Sequence, residues 1–364
     1  MKIANIVGAR PNFMKIAPIH RRMQRANGFE PILIHTGQHY DEKMSKTFFI
    51  DLEMPQPDVY LGVGSGTHAE QTAAVLVKME KILIEHKPDL IIVVGDVNST
   101  IAASMAAAKL HIPIAHVEAG LRSFDRTMPE EINRILTDAI SDYLFVTEQS
   151  GLDNLKAEGV ADDKVFFVGN CMIDSLVEHL DKASQLNTLD QYHLSPKSYA
   201  VATLHRPSNV DDIAVLGKIF STFEVIQQDM PIIFPIHPRT RKMLNTFGLE
   251  DQVAAMSNLV LTEPLGYLPF LQLMSQARLM ITDSGGIQEE TTFLQVPCLT
   301  LRQNTERPVT VAQGTNQLVG MEPDKILAGY NHAMNSSFEE ATIPPLWDGA
   351  ASDRIVSKIR ELLN

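Results

Sequence analysis

The chain is poor in cysteine, in positive charge and in long apolar runs. Only Cys171 and Cys298 occur in 364 residues, far apart, which excludes a disulfide framework and a cysteine-built zinc site. The His, Asp and Glu residues also lack HExxH-type or similar spacing, so no metal is expected. Lys and Arg number 31 against 44 Asp and Glu, a formal charge of −13. That balance speaks against a nucleic-acid binder, which presents a basic face. A protein this acidic must gather its few cations locally if it binds a phosphorylated ligand. No apolar run approaches the ~20 residues of a membrane span. The opening Met1–Val7 is too short for the apolar region of a secretory signal. A reducing, cytoplasmic setting is the expectation. Short repeats and low-complexity tracts are missing too.

What is present is a recurring unit: a short apolar run, a polar turn, a helical pattern. Hydrophobic residues make up 45% and charged residues 21%, the balance of a globular protein long enough for two domains. Strands are expected at Ile3–Val7, Pro31–His35, Leu90–Val94, Ile114–Val117, Tyr143–Val146 and Val165–Val168. A second series covers Tyr199–Thr203, Ile232–Ile236, Leu259–Thr262, Leu279–Thr282, Cys298–Leu301 and Gln317–Val319. Helical stretches such as Thr67–Glu85 and Asp211–Gln228 lie between them. Continuous apolar strands separated by helices mean parallel sheets covered on both faces. The expected fold is α/β, with two Rossmann-like domains facing across a cleft. The polar stretch Asp181–Pro196 reads as the link, with a helix over Leu176–Leu186 as the alternative reading of its start, and Ile355, Ile359, Leu362 and Leu363 mark a closing amphipathic helix.

Polar motifs follow many of these strands, where open α/β sheets bind ligands. The richest is His116-Val117-Glu118-Ala119-Gly120-Leu121-Arg122-Ser123, closely followed by Met128-Pro129-Glu130-Glu131-Ile132-Asn133-Arg134. Carboxylates can move protons and arginines can hold phosphates. Glu130 and Glu131 also suit a helix start, so at least one of them reads as structural, as do Asn133 and Arg134. After the first strand, Gly8-Ala9-Arg10-Pro11-Asn12-Phe13-Met14-Lys15 sets two cations, Arg10 and Lys15, near a helix N-terminus. Its glycine spacing is not the dinucleotide fingerprint. Gly62-Val63-Gly64-Ser65-Gly66 resembles that fingerprint more, yet no suitable strand leads into it, and it reads as a loop. Asp96 tips the third strand, with Asn98 or Ser99 placed to cap the next helix.

In the second series, Thr203-Leu204-His205-Arg206-Pro207-Ser208-Asn209 puts a histidine beside an arginine at a strand tip. Such a pair can donate to phosphate or shuttle a proton. Asp283-Ser284-Gly285-Gly286 opens a helix whose N–H groups can cradle a phosphate, and Glu290 one turn on can bind ribose hydroxyls. Arg302 and Arg307 follow the next strand. His237, between two prolines, reads equally well as a rigid turn.

These motifs, in this order and across nearly the whole chain, resemble the non-hydrolysing UDP-N-acetylglucosamine 2-epimerases. The most specific are Gly8-Ala9-Arg10-Pro11, Gly95-Asp96, His116–Arg122 with Pro129-Glu130-Glu131, Asp283–Glu290 and Thr305-Glu306-Arg307-Pro308. The resemblance implies a glycosyltransferase-B-like fold, a homodimer, and C2 inversion between UDP-GlcNAc and UDP-ManNAc without NAD or a catalytic metal. It implies residues 1–170 with the C-terminal helix 352–364 as the domain bearing acid/base carboxylates, and 171–351 as the UDP-binding domain. By the same resemblance Asp96, Glu118 and Glu130 are the acid/base groups and His205 lies beside the pyrophosphate. Arg10 and Lys15 match phosphate-side cations, Ser284, Gly285 and Gly286 the diphosphate loop, Glu290 the ribose ligand and Arg307 a nucleotide-side residue.

Two departures stand out. The common pattern after His-Arg is one residue and then Glu-Asn, but here Ser208 replaces the glutamate. Gln38-His39-Tyr40-Asp41-Glu42-Lys43-Met44 stands where many bacterial members carry Gln-His-Arg-x-Met and bind an activating second UDP-GlcNAc. That variant also occurs in relatives acting on UDP-2,3-diacetamido-2,3-dideoxy-glucuronic acid, the nearest rival reading. A glycosyltransferase, a hydrolysing epimerase and a nucleotide-sugar sensor are the others.

Overall fold

The structure, a computed structural model, describes residues 1–37, 52–335 and 341–364. The Gln38–Met44 variant and the Arg10 side chain lie outside the described residues. The chain divides into two units, Met1–Glu178 with Pro345–Asn364, and His179–Pro344. Each is a doubly wound parallel α/β layer structure.

Unit one holds β1 (Lys2–Val7), β2 (Glu30–His35), β3 (Val59–Tyr60), β4 (Leu90–Val94), β5 (Ile114–Ala119), β6 (Tyr143–Val146) and β7 (Val165–Phe167). They pair in the order β3-β2-β1-β4-β5-β6-β7, all parallel. Five consecutive apolar residues in β4 are buried, as a central strand covered on both faces requires. Its helices include α1 (Arg10–Arg25), α2 (His68–His86), α3 (Asn98–Lys109), α4 (Pro129–Ile140) and α5 (Gln149–Ala157). Thr67 starts α2 through a capping box with Glu70. Pro129 opens α4 at the position where a missing N–H costs nothing. The last helix, Ala351–Leu363, packs on α1, and its Ala351 and Ser352 N–H groups are capped by the Asp174 carboxylate.

Unit two holds β8 (Ala200–Thr203), β9 (Ile232–Pro235), β10 (Leu259–Thr262), β11 (Leu279–Thr282), β12 (Cys298–Thr300) and β13 (Asn316–Leu318), in the parallel order β10-β9-β8-β11-β12-β13. Phe220, Phe223 and Phe234 are buried together in its core.

Chain direction across the sheet reverses between β1 and β4 in unit one and between β8 and β11 in unit two. Loops leaving the carboxyl ends at such a switch point diverge and leave a crevice. The motifs following these four strands therefore sit at the switch points. Among the described residues, no helix is long and apolar enough to cross a membrane.

Candidate active site

In unit one the carboxyl end of β5 departs from regular strand geometry. The register with β6 slips between Val117 and Ala119, a bulge, and Glu118 adopts φ +74°. A left-handed glutamate costs roughly 1–3 kcal/mol and persists only where its surroundings enforce it. The bulge re-aims the Glu118 side chain, which is buried and ion-paired with Lys15 of α1. Lys15 Nζ lies 3.1 Å from where a Cβ on Gly95 would stand, so it also neighbours the β4 loop.

Asp96, at that loop, is held by the Arg134 guanidinium, and its carbonyl accepts from Asn133 Nδ2 at 2.9 Å. Arg134 bridges onward to the buried Glu131. Glu131 also accepts from the Ser123 and Phe124 N–H groups at 2.9 Å each. Burial pushes the Glu131 carboxyl up, but Ser123 and Arg134 hold it below its ordinary value. Glu131, Asn133 and Arg134 are thus scaffold, in keeping with their sequence reading. Glu130 opens the same helix, half-buried.

Arg122 corrects one expectation. It does not stand ready for phosphate: it forks onto Glu158 at 2.8 and 2.7 Å and meets Asp138 at 2.7 Å. A buried guanidinium must be neutralised in place, and here the fold itself supplies the anions. The capping expectation for Asn98 and Ser99 also fails. Val97 is the N-cap, Ser99 Oγ pairs with Thr36 at 2.8 Å, and Asn98 bonds Gln71 and His68.

His116, Asp138 and Gly120 complete this tip. His116 Nε2 faces the Gly95 carbonyl at 2.8 Å and Nδ1 meets Asp138 Oδ1 at 2.6 Å. Asp138 Oδ2 accepts the Gly120 N–H at 3.0 Å. Burial drives the Asp138 carboxyl up, yet the His116 ring and the Arg122 guanidinium outweigh it and hold it low.

In unit two, His205 tips β8 and its Nδ1 meets the fully buried Asp283 at 2.8 Å. The ring keeps 43% of its surface exposed, so its far edge faces solvent. Asp283 also accepts the His205 and Arg206 N–H groups, each at 2.9 Å. Burial raises the Asp283 carboxyl, but the His205 ring and these donors carry it below its ordinary value. Buried Asn209 ties Asp283 to the Leu301 carbonyl, at 3.1 and 3.0 Å. That clamp holds the loop although Ser208 replaces a glutamate, and Ser208 itself is exposed. His237 caps the following helix by accepting the Arg239 N–H at 3.1 Å, its ring centroid 5.8 Å from that of His205.

Ser284, in extended conformation, is the N-cap of a helix running Gly285–Leu294 and makes no side-chain cap. The first N–H groups of a helix have no partner within it and carry its positive dipole end. Gly285 is required by space. A Cβ there would stand 2.7 Å from Arg307 Nη1 and 2.9 Å from Glu306 Oε1. Those two side chains cannot yield easily. Arg307 is paired with Glu306 at 2.6 Å and Glu289 at 2.8 Å, and Arg302 holds the other Glu306 oxygen at 2.7 Å. Burial pushes the Glu306 carboxyl up, but the arginines hold it far below its ordinary range. One turn into the helix, buried Glu290 accepts the Tyr267 hydroxyl at 3.1 Å. Burial and Glu290 drive the Tyr267 hydroxyl well up, so it stays a donor.

Asp138, His116, Asp283 and Tyr267 were given no role from sequence. One signal was available: Glu130, Arg134 and Asp138 recur every four residues, a single stripe on α4. Asp283 stood inside a quoted motif, but its partner lies 78 residues away.

Two doubly wound parallel-sheet units, each with its polar loops at the switch point, define a glycosyltransferase-B-like α/β protein. Residues 21–360 match the UDP-N-acetylglucosamine 2-epimerase family. A UDP-N-acetylglucosamine 2-epimerase homolog of Methanococcus maripaludis is 48% identical over all of both chains. The UDP-2,3-diacetamido-2,3-dideoxy-D-glucuronate 2-epimerase of Pseudomonas aeruginosa is 39% identical, again over all of both. The crystal structure of Methanocaldococcus jannaschii UDP-GlcNAc 2-epimerase in complex with UDP-GlcNAc and UDP superposes with a TM-score of 0.92 at 43% identity, covering 99% of this chain and 100% of that one. The chain belongs to the UDP-N-acetylglucosamine 2-epimerase family.

Proposed function

We propose that this protein interconverts UDP-N-acetylglucosamine and UDP-N-acetylmannosamine. The observation that carries the reading is a division of labour. Carboxylates gather at the carboxyl ends of the adjacent strands β4 and β5 and the start of α4 in unit one, and a helix N-terminus without a side-chain cap follows β11 at the switch point of unit two. The C2 proton of a sugar is barely acidic, because no carbonyl adjoins C2 in the ring. Its removal becomes feasible when the C1–O bond to UDP breaks with its electron pair and C1=C2 forms. The product is a 2-acetamidoglucal and free UDP. A proton then returns to C2 from the opposite face, and a UDP oxygen adds to C1.

Asp96, Glu118 and Glu130 are assigned to proton removal and return. Ser284, Gly285 and Gly286 receive the diphosphate, which the helix dipole favours. His205, oriented by Asp283, lies beside it, and Glu290 takes ribose hydroxyls. Arg10 and Lys15 are assigned to the phosphate side and Arg307 to the nucleotide side. No step calls for a metal or a redox cofactor.

A homodimer belongs to the same reading. Val77 and Ile84 on α2, Met105 on α3 and Leu136 on α4 expose large apolar side chains on neighbouring helices. Light scattering of wild type and of Ile84→Glu checks it, with a dimer that dissociates as the expected outcome. A reducing cytoplasmic setting fits two cysteines that are buried and free. The diacetamido-glucuronate relative supports a second substrate reading, since the same C2 chemistry serves both sugars. Offering each UDP-sugar separately decides between them: faster turnover of UDP-GlcNAc is expected, and turnover of the uronate alone would overturn that choice.

A further inference from the structure

Glu118 is held in its left-handed conformation from both sides by one residue. Two positions before it, the His116 ring bonds Asp138 Oδ1 at 2.6 Å. Two positions after it, the Gly120 N–H bonds Asp138 Oδ2 at 3.0 Å. The Asp138 carboxylate therefore spans the bulge that re-aims Glu118. Gly120 is itself at φ +80°, and a Cβ there would fall 2.4 Å from the Gly151 carbonyl, so that turn has no slack. The second His116 nitrogen reaches the Gly95 carbonyl at 2.8 Å, one residue before Asp96.

Asp138 lies on α4 in register with two other residues. Four residues earlier, Arg134 holds Asp96. Four residues before that stands Glu130. Residues four apart on a helix lie on one face, one above the next. A single helical stripe thus carries one proposed acid/base carboxylate and a clamp for each of the other two.

We propose that Asp138 is a positioning residue for Glu118, and that the α4 stripe Glu130–Arg134–Asp138 sets the mutual placement of the three proton-handling carboxylates. The assignment rests on the reaction proposed above. The Asp138 side chain is buried, its oxygens spent on His116, Gly120 and Arg122, so it acts through the backbone on either side of Glu118. Asparagine can imitate most of the clamp. Its oxygen accepts from Gly120 and Arg122, and its amide donates to Nδ1 of a neutral His116, whose Nε2–H stays on Gly95. Alanine can imitate none of it.

The experiment is a mutant cycle read by deuterium entry at C2 of UDP-GlcNAc in D2O, with UDP affinity measured alongside. Wild type is assayed first; if it exchanges no C2 proton, the reaction is wrong and this assignment falls with it. Given exchange, Asp138→Ala is expected to lower kcat about 50-fold or more with UDP affinity within two-fold, and Asp138→Asn to recover kcat to within about five-fold of wild type. In a Glu118→Gln background, the further loss from Asp138→Ala is expected to shrink below about three-fold, because the residue it positions is already disabled. Equal losses in both backgrounds would make Asp138 merely structural and overturn the assignment while leaving the reaction intact. If Asp138→Ala does not fold, Asp138→Glu, which keeps the charge but lengthens the arm, takes its place in the cycle. The same two outcomes then decide.

Discussion

The strand tips of the two units solve opposite electrostatic problems. In unit one the carboxylates Asp96 and Glu118 lie at the strand tips, and the cations Arg134 and Lys15 are the clamps that hold them. In unit two the arrangement is inverted: Arg302 and Arg307 are held by Glu306 and Glu289, beneath a helix N-terminus. Under the proposed function, this inversion is how a chain of formal charge −13 would receive a diphosphate. In the proposed reaction the buried arginines shape the anion site, and the backbone N–H groups and dipole of the helix are what would meet the anion.

The largest losses are expected in unit one. Asp96→Asn, Glu118→Gln and Glu130→Gln should each lower C2 exchange by about 10²–10⁴-fold, the usual worth of a general acid or base. UDP affinity, measured by calorimetry, should stay within a few-fold. Parallel losses of affinity would erase the division between the units.

Lys15→Met strikes the clamp instead of the carboxylate. It leaves Glu118 buried without its cation, and breaking a buried pair typically costs about 3–5 kcal/mol. Urea unfolding should show that loss, and a double variant Lys15→Met/Glu118→Gln should recover part of it. No recovery would mean that Lys15 is held for other reasons.

Acid should separate the units. His20 and His35 in unit one are buried and lowered from 6.5 to about 4, chiefly by desolvation. Between those values the unfolded chain binds protons that the folded chain refuses. Stability from each is therefore full above pH 6.5 and is lost as pH falls toward 4, on the order of 3 kcal/mol per histidine. The carboxylates held low, Asp138 in unit one and Asp283 and Glu306 in unit two, lose their contribution only further down, through and below the ordinary carboxylate range. The single tryptophan, Trp347, packs in unit one with its Nε1 on the Thr147 carbonyl at 2.9 Å. Its fluorescence should report unit one weakening by pH 5, while amide exchange in β8 and β11 stays near its neutral-pH level. Simultaneous loss would contradict the ordering.

The smallest effect belongs to Gly285→Ala. The added Cβ must displace the Arg307–Glu306 pair, tilting the first N–H groups of the helix. Loss of one charge-assisted hydrogen bond, about 1.5 kcal/mol, corresponds to roughly ten-fold weaker UDP binding. Exchange at saturating substrate should change far less.

Much of the fold was legible because parallel strands buried on both faces leave continuous apolar runs, as Leu90–Val94 and Leu279–Thr282 do. β3 was not, since Val59–Tyr60 is too short to carry any periodicity. Within the site, Asp96, Glu118 and His205 were visible as polar residues ending apolar runs. Their partners were not, because pairing is set by the tertiary fold. Lys15 meets Glu118 across 103 positions because β1 pairs with β4 and β4 with β5. Arg122 shows the converse error: a lone arginine in sequence looks available, and only the fold reveals Glu158 and Asp138 around it. The left-handed Glu118 had no signature at all, since glutamate carries no preference for that conformation.

The most direct measurement is proton NMR of UDP-GlcNAc incubated with the purified protein in D2O without added cofactor. UDP-ManNAc bearing deuterium at C2 is expected, with the recovered UDP-GlcNAc deuterated at the same carbon. UDP-ManNAc that keeps its original C2 proton, or bound UDP-GlcNAc that never exchanges, would contradict it.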